Sequence, residues 1–522
     1  LNPAGTLSPG TSSSVNFIGS LAGQSVTTGS GISYFNIYLN NSSSAGVTLS
    51  SNLGTSNVTG NITVQSGIFS NGGFTITGNV ARQFTVSNAA TFRLTGSTAI
   101  PAGFGTVNFG VSSTVDFRGT TSQNIGAYNY GNLTSSSTGS RVLASSGTIG
   151  IAGSFIPGTN SYTISGSTIS FNGSNQTVPS FNSTSGYNNL YIAQSTGMAT
   201  AGGNITVGGT LNLISGNLNL DNRVLTLNGT AAIAGSPFSA SKMIMADGGG
   251  ELRKSFTGNA SFFFPVGDNS GTAEYSPVTI NYSSGSYAVG AYAGVKLSNI
   301  KHPSNASAAD YLNRFWSISN SGISNPVYSI EAGYAEADVT GSETNISMGK
   351  YTGVLPWIKY SAANSGLNTF TASNVSNTGI TAFTGISGTV PEISISGGTT
   401  ICAGNSVQLA ATVTGSEPFT YSWSPVTGLS NPGIADPIAS PGTNTNYTVT
   451  VTDANGFSAN AGTTVNVSTL VASISASGNL SFCQGGSVIL TASAGSSYLW
   501  SNGLIANSIT VSVPGNYTVT VT

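Results

Sequence analysis

Along most of the chain apolar and polar residues alternate over only three to five positions before Gly or Asn breaks the run, as in Leu211-Asn212-Leu213 and Phe74-Thr75-Ile76. Period-two alternation puts every second side chain on one face of a strand. Helix formers are scarce, so the pattern predicts many short strands joined by turns. The expectation is an all-β chain. Over residues 1–235 the strands are too short to cover a sandwich comfortably. They suit a parallel β-helix (solenoid), in which each strand stacks on its equivalent in the next coil and Gly or Asn turns the corners. Stacked antiparallel β-domains are the alternative.

Repeats support the solenoid. One frame occurs three times, as SSVNFIGS (13–20), STVDFRGT (113–120) and STISFNGS (167–174), each followed by a Gln and a β-branched residue. A second interleaves with it: NITVQSGIFSNGGFTITG (61–78), IGIAGSFIPGTNSYTISG (149–166) and LNLISGNLNLDNRVLTLNG (211–229). A third element, aromatic residues with Asn before a short strand, lies at 34–39, 128–133 and 187–192. A period near 50–57 residues implies two or more coils per unit. The shared frame predicts that Phe17, Phe117 and Phe171 fill equivalent inward positions.

From about residue 236 the texture changes. Strand-like runs such as ASFFFPVG, YSPVTINY, RFWSIS and VYSIEAGYAE predict one antiparallel β-sandwich over 236–390. After it a module repeats. Copy one (391–469) carries ICAGNSVQLAA, YSWSP and NYTVTVT; copy two (470–522) carries FCQGGSVILTA, YLWSN and NYTVTVT. A strand of alternating apolar residues, a central Trp and a late Tyr-x-Val match an immunoglobulin-type sandwich. Trp423, Trp500, Tyr447 and Tyr517 are the expected core anchors, with Val449 and Val519 where antibody domains place their second Cys.

Length agrees with several domains, since 522 residues at roughly 100–200 per domain give three to five. Charge is sparse: 13 Lys and Arg against 15 Asp and Glu, one His, and 69 Gly. Residues 391–522 hold four acids and no Lys or Arg. So few cations exclude a nucleic-acid footprint, and no apolar run is long enough for a membrane helix. Two Cys exclude a disulfide scaffold and a Cys-based zinc cluster. Cys402 and Cys483 hold the same position in successive modules and are expected to stay unpaired. The opening LNPAGTLSPG has no Met, basic region or apolar core, and reads as a processed start.

Candidate chemistry is thin. A β-helical polysaccharide lyase or hydrolase would need converging carboxylates, or Ca²⁺ beside a base. Residues 1–240 contain only Asp116 and Asp221 as acids, and Asp116 is the variable position of its frame. His302, in NIKHPSN, is expected to be an exposed loop residue. Glu331, Glu336, Asp338 and Glu343 are expected to line a solvated strand face; Ca²⁺ binding there lacks a clear motif, so no cofactor is expected. Asp268 and Asp453 are expected in turns. Tyr351, Trp357 and Tyr360, in KYTGVLPWIKY, are the candidates for stacking on a glycan, against a packing role in the sandwich.

The modules resemble the immunoglobulin-like and PKD-like repeats of large surface proteins of Bacteroidota exported by the type IX secretion system. RKSFTGNASFFFPVGDNS followed by YSPVTI is similar to the sandwich that follows β-helical repeats in such proteins. In that family the early Cys pairs with a Cys in a D-x-x-G-C motif after the last strand. Here DANGF puts Phe457 at that position, and the usual partner of Cys483 would lie beyond residue 522. The resemblance implies a secreted, non-enzymatic cell-surface adhesin or stalk that meets a surface glycan or another surface ligand. The second expectation is a structural subunit that pairs with copies of itself in a filament or sheath.

Overall fold

The computed structural model describes residues 13–29, 32–387, 390–469 and 471–522; the expected processed start lies outside them. Strand accounts for 52 % of the chain and helix for 1 %, and the N-terminal part is a β-solenoid of about 11 turns. Its ladders are parallel. Phe17, Leu39, Val64, Val86 and Phe109 follow one another up one column. Tyr130, Ile151, Phe171, Ile192 and Leu213 do so in a second. Successive members lie 20 to 25 residues apart, which is the length of one turn. Each buried Leu, Ile, Val or Phe contributes about 1.5–3 kcal/mol, and stacking makes that core continuous.

Asn explains how one turn grips the next. Asn36 Oδ1 accepts the Asn61 amide at 2.9 Å, and Asn61 Oδ1 accepts the Gln83 amide at 2.9 Å. Asn132 to Ser154 and Asn189 to Thr210 repeat the contact one turn up. A short amide side chain thus satisfies corner backbone that would otherwise lack a partner. The strands Ile62–Ser70 and Thr210–Asn219 each bend between two sides of the coil at a Ser-Gly pair, where Gly67 and Gly216 have φ of 70° and 76°. A Cβ on Gly67 would lie 1.8 Å from the Asn41 carbonyl oxygen. That corner admits only Gly.

Phe17, Phe117 and Phe171 all point inward, but the expectation that they are equivalent fails. Phe117 stands between Leu94 and Ser135 on a separate ladder, and Phe171 between Ile151 and Ile192. The reason is length. The 54 residues from Phe117 to Phe171 fall between two and three turns, so the same frame arrives on a different side of the coil. Its local geometry survives the move. Gln123 Oε1 accepts the Gly119 amide and its Nε2 donates to Leu94 O; Gln176 does the same with Gly173 and Ile151 O. In both copies the carbonyl belongs to the residue stacked under the Phe.

Residue 235 is not a break. Glu251–Ser255 pairs in parallel with Val224–Leu227 on one edge and antiparallel with Val278–Ser298 on the other. Val278–Ser298 and Phe315–Gly333 form a long hairpin, flanked by Ser261–Phe264, Gly379–Ser387 and Thr369–Ser376. The antiparallel pairing expected for 236–390 is present, but the sheet grows directly from the solenoid, and one apolar core runs from Phe17 to Phe383. Described residues as far as Ser387, except Ala306–Ala308, form one compact unit.

The second unit comprises Ala306–Ala308 and the residues from Val390 on. It holds two separate cores. The first gathers Leu409, Trp423, Tyr447, Val449, Val451 and Val465; the second gathers Val488, Leu490, Trp500, Ile509 and Val511, with Tyr517 half-buried against it. Trp423 Nε1 donates to Ile434 O at 2.9 Å and Trp500 Nε1 to Ala506 O at 2.8 Å. Tyr447 OH reaches back to Thr427 O at 2.9 Å, whereas Tyr517 OH bonds only locally, to Val513 O at 3.2 Å.

Candidate functional site

The charged residues of the middle region converge where the solenoid meets the antiparallel sheet. Asp268 ends the last parallel strand, Val266–Asp268, and Glu274 begins the short strand Glu274–Tyr275 paired with it. Arg314 directly precedes Phe315–Gly333, and Asp338 closes a 3₁₀ turn, Glu336–Asp338. Arg314 is sealed from water and meets all three acids: Nη1 binds Asp268, Nη2 binds Glu274, and Nε donates to Asp338 Oδ2 at 2.6 Å. Asn299 Nδ2 bridges Asp268 and Glu274. Burial works against the guanidinium's charge, but Asp338 and Asp268 outweigh it and hold the Arg314 pKa up. Burial raises the pKa of Asp338 and of Glu274. Asp268 is therefore more than the turn residue expected: its Oδ1 does accept the Ser270 amide at 3.0 Å, but the carboxylate also faces Arg314. The cluster spends its carboxylates on one cation, which fits a clasp between two sheets.

His302 is a correction. It is 9 % exposed instead of lying open in its loop. Its ring meets Phe315, Tyr351 and Trp357 edge-on, at centroid distances of 4.8, 5.1 and 5.1 Å. Nδ1 accepts the Ser304 amide at 3.1 Å, and burial lowers the ring's pKa. The apolar partners lie far off in sequence, so the NIKHPSN context could not announce them.

The same cluster decides the aromatic candidates. Trp357 is 2 % exposed and its Nε1 donates to Ser304 O at 3.0 Å, so its face is not offered to a sugar. Tyr351 leans on Trp357 with ring centroids 5.0 Å apart, and Tyr360 packs against the main core. All three take part in the packing of the sheet, Trp357 buried and Tyr351 and Tyr360 half-buried.

The four acids of the 331–343 stretch take separate partners. Glu343 accepts the Tyr334 hydroxyl, Glu336 takes Asn368 at 3.2 Å, and Asp338 serves Arg314, while Glu331 lies in the long strand Phe315–Gly333. Glu331 and Glu336 are exposed as expected, whereas Asp338 is buried. Among the described residues no group of three or more His, Cys, Asp and Glu is placed to hold a metal ion. Asp116 is largely buried, 3.6 Å from Arg93 Nε, and accepts the Ser136 hydroxyl at 2.6 Å. Asp453 Oδ1 accepts the Asn455 and Phe457 amides, which shapes the DANGF turn. Cys402 and Cys483 are exposed and unbridged.

Lys254 is a residue that sequence reasoning missed. On the strand shared by solenoid and antiparallel sheet, its Nζ donates to the carbonyls of Asn228, Gly229 and Ala231 at 2.8, 2.5 and 2.7 Å. Burial lowers its pKa to about 8. A Lys at an inward strand position was the available signal, because a buried ammonium needs a ring of acceptors. No described helix is long and apolar enough to cross a membrane. The chain matches no protein-family model and no curated protein.

Proposed function

We propose that this chain is an extracellular, non-enzymatic attachment scaffold: a solenoid stalk that holds sandwich-like modules of immunoglobulin or PKD type at a cell surface. The observation that carries the reading is the use made of charge. The densest set of ionisable groups, around Arg314, is consumed in joining the solenoid to the antiparallel sheet. Over the solenoid, whose first 240 residues hold two acids, many outward strand positions carry Ser, Thr and Asn, suited to contact with a glycan or another surface ligand. Export by a type IX route in a Bacteroidota cell follows from the module resemblance. The test couples attachment with catalysis. Beads coated with the purified chain are expected to adhere to cells or polysaccharide surfaces, with no reducing ends released from a polysaccharide panel. Release of reducing ends that disappears when one carboxylate is replaced would overturn the proposal.

A second reading, a subunit that assembles with copies of itself, is favoured by the sheet-edge strand Glu392–Ser396, whose ladder partner is Ala410–Thr414. Electron microscopy of the purified chain distinguishes the two, since separate particles fit a scaffold and long fibres fit a subunit.

A further inference from the structure

One ladder of the solenoid is interrupted partway along. Gln123–Ile125, Arg141–Leu143, Ser161–Thr163 and Asn182–Ser183 stack in parallel, and Asn182–Ser183 is the last of them. One turn on, Ile205–Val207 opens a different ladder with Val224–Leu227. The two strands do not pair. Contact between the turns shifts instead to a bridge between Tyr187 and Val207, with the Tyr187 amide on Thr206 O at 2.8 Å. Gly186, at a φ of 73°, lies so close to the next turn that a Cβ would stand 2.2 Å from Thr206 O. The interruption leaves a cleft of about 320 Å³, within the range of about 300–1,000 Å³ usual for small-ligand sites.

The walls of the cleft are preformed. Phe181 is half-buried and held by Phe155, Tyr162 and Tyr187, whose rings meet it edge-to-face at centroid distances of 5.8, 4.9 and 4.8 Å. Ser183 Oγ donates to Gly186 O at 2.8 Å and Tyr187 OH to Pro179 O at 2.6 Å, which fixes the corner between them. Asn204 Oδ1 accepts the Val224 amide at 3.0 Å, and this orients its Nδ2 as a donor. Thr206 and Asn228 also line the cleft, and neither side chain has a hydrogen-bond partner among the described residues. Elsewhere on the coil Asn36 and Asn132 use that amide to grip the next turn; Asn228 does not. No charged residue lines the cleft. One fixed aromatic ring is thus set beside neutral donors and acceptors that the fold leaves unused.

We propose that this cleft binds an uncharged sugar unit of a glycan, an assignment that rests on the attachment reading and names its ligand class. A sugar ring has an apolar C–H face and a rim of hydroxyls that donate and accept. The C–H face suits Phe181, and the hydroxyls suit Asn204 Nδ2, the Thr206 hydroxyl and both ends of the Asn228 amide. The lining offers no cation to a uronate or a sulfate, and a charge enclosed there would have no partner, so acidic sugars are refused. An apolar side chain of a protein partner would cover the Asn and Thr groups without pairing them, which is unfavourable.

The probes are cellobiose, lactose and mannobiose, with digalacturonate as the acidic control, each titrated into the full chain by calorimetry and ligand-observed NMR. At least one neutral disaccharide is expected to bind saturably, and digalacturonate is expected not to bind. Thr206→Val and Asn228→Ala alter side chains with no other partner, and each is expected to weaken that binding about fivefold or more at unchanged Tm. Ser185→Trp, which fills the cleft from its corner, is expected to abolish it. Three results would overturn the proposal: no binding by any neutral probe, equal binding of digalacturonate, or binding untouched by all three substitutions. The attachment reading is judged apart from the site. Beads of the parent chain that adhere to polysaccharide while every neutral probe fails would remove the site and keep the scaffold. Probes that bind in the cleft while the beads do not adhere would keep the site and remove the scaffold.

Discussion

Arg314 Nε and Asp338 Oδ2 meet at 2.6 Å with neither side chain appreciably exposed. Asp268 and Glu274 complete the guanidinium's partners. Replacing a whole buried ionic set by apolar residues is often tolerated, but removing one member strands the others. Arg314→Met is therefore expected to cost about 3–5 kcal/mol, read as a large fall in Tm. An unchanged Tm would mean that the clasp is incidental to stability.

The same cluster sets a pH dependence. Burial raises the folded-state pKa of Asp338 and Glu274. As pH rises above about 4, the unfolded chain releases these protons before the folded one does. Their contribution is thus fully present below the unfolded pKa values and lost as pH rises through the folded ones. Asp338→Asn is expected to flatten that fall in a Tm-against-pH series. A steeper fall in the variant would show the sign to be wrong.

His302 works in the opposite sense. Burial lowers its pKa among Phe315, Tyr351 and Trp357. The unfolded chain takes up the proton first, near pH 6.5. Stability is present above that value and lost as pH falls through the folded pKa. His302→Phe keeps an aromatic ring in place and removes the titration, so its Tm is expected to stay level between about pH 6.5 and 5 while the parent's falls. Equal slopes would place the sensitivity elsewhere.

Trp357→Ala separates packing from binding. The indole is buried and hydrogen-bonded to Ser304 O, so truncation is expected to cost about 3–5 kcal/mol. Glycan binding by the folded remainder, measured on a polysaccharide array, is expected to be unchanged. Loss of glycan binding at full stability would restore the platform.

Fold class was legible because alternation over three to five residues is local. Leu211-Asn212-Leu213 records its own inward and outward faces. The parallel ladder was legible because the Phe frame and the motif interleaved with it repeat. The side of the coil that each copy reaches was not, because it depends on the summed length of every corner between copies. Phe117 and Phe171 share a frame and occupy different ladders for that reason. The boundary at 235 misled because composition changes there while the sheet does not: Glu251–Ser255 accepts a parallel neighbour and an antiparallel one. The Arg314 cluster was invisible for a related reason, since Asp268 and Asp338 approach it from opposite sides in sequence and only the folded chain brings them together.

Gln123 and Gln176 carry the last prediction. Each is buried just past the corner that follows its Phe, Gln123 opening the strand Gln123–Ile125 and Gln176 directly before Thr177–Val178. Gln123 satisfies the Gly119 amide at 2.8 Å and Leu94 O at 3.2 Å. Gln176 satisfies more: the Gly173 amide at 2.6 Å, Ile151 O at 2.8 Å, Gly153 O at 2.6 Å, and Gln194 Nε2 at 2.9 Å. Leu fills similar space but leaves those groups unpaired, at about 1–3 kcal/mol for a buried polar group. Both Gln→Leu variants are therefore expected to lower the urea midpoint at unchanged slope, with Gln176→Leu the more damaging. Hydrogen exchange is expected to quicken at Gly119 in one and Gly173 in the other, because each glycine loses its acceptor. Equal or negligible shifts would mean that stacking of Phe117 and Phe171 alone holds the corners, and that the repeated Gln has no structural part in the coil.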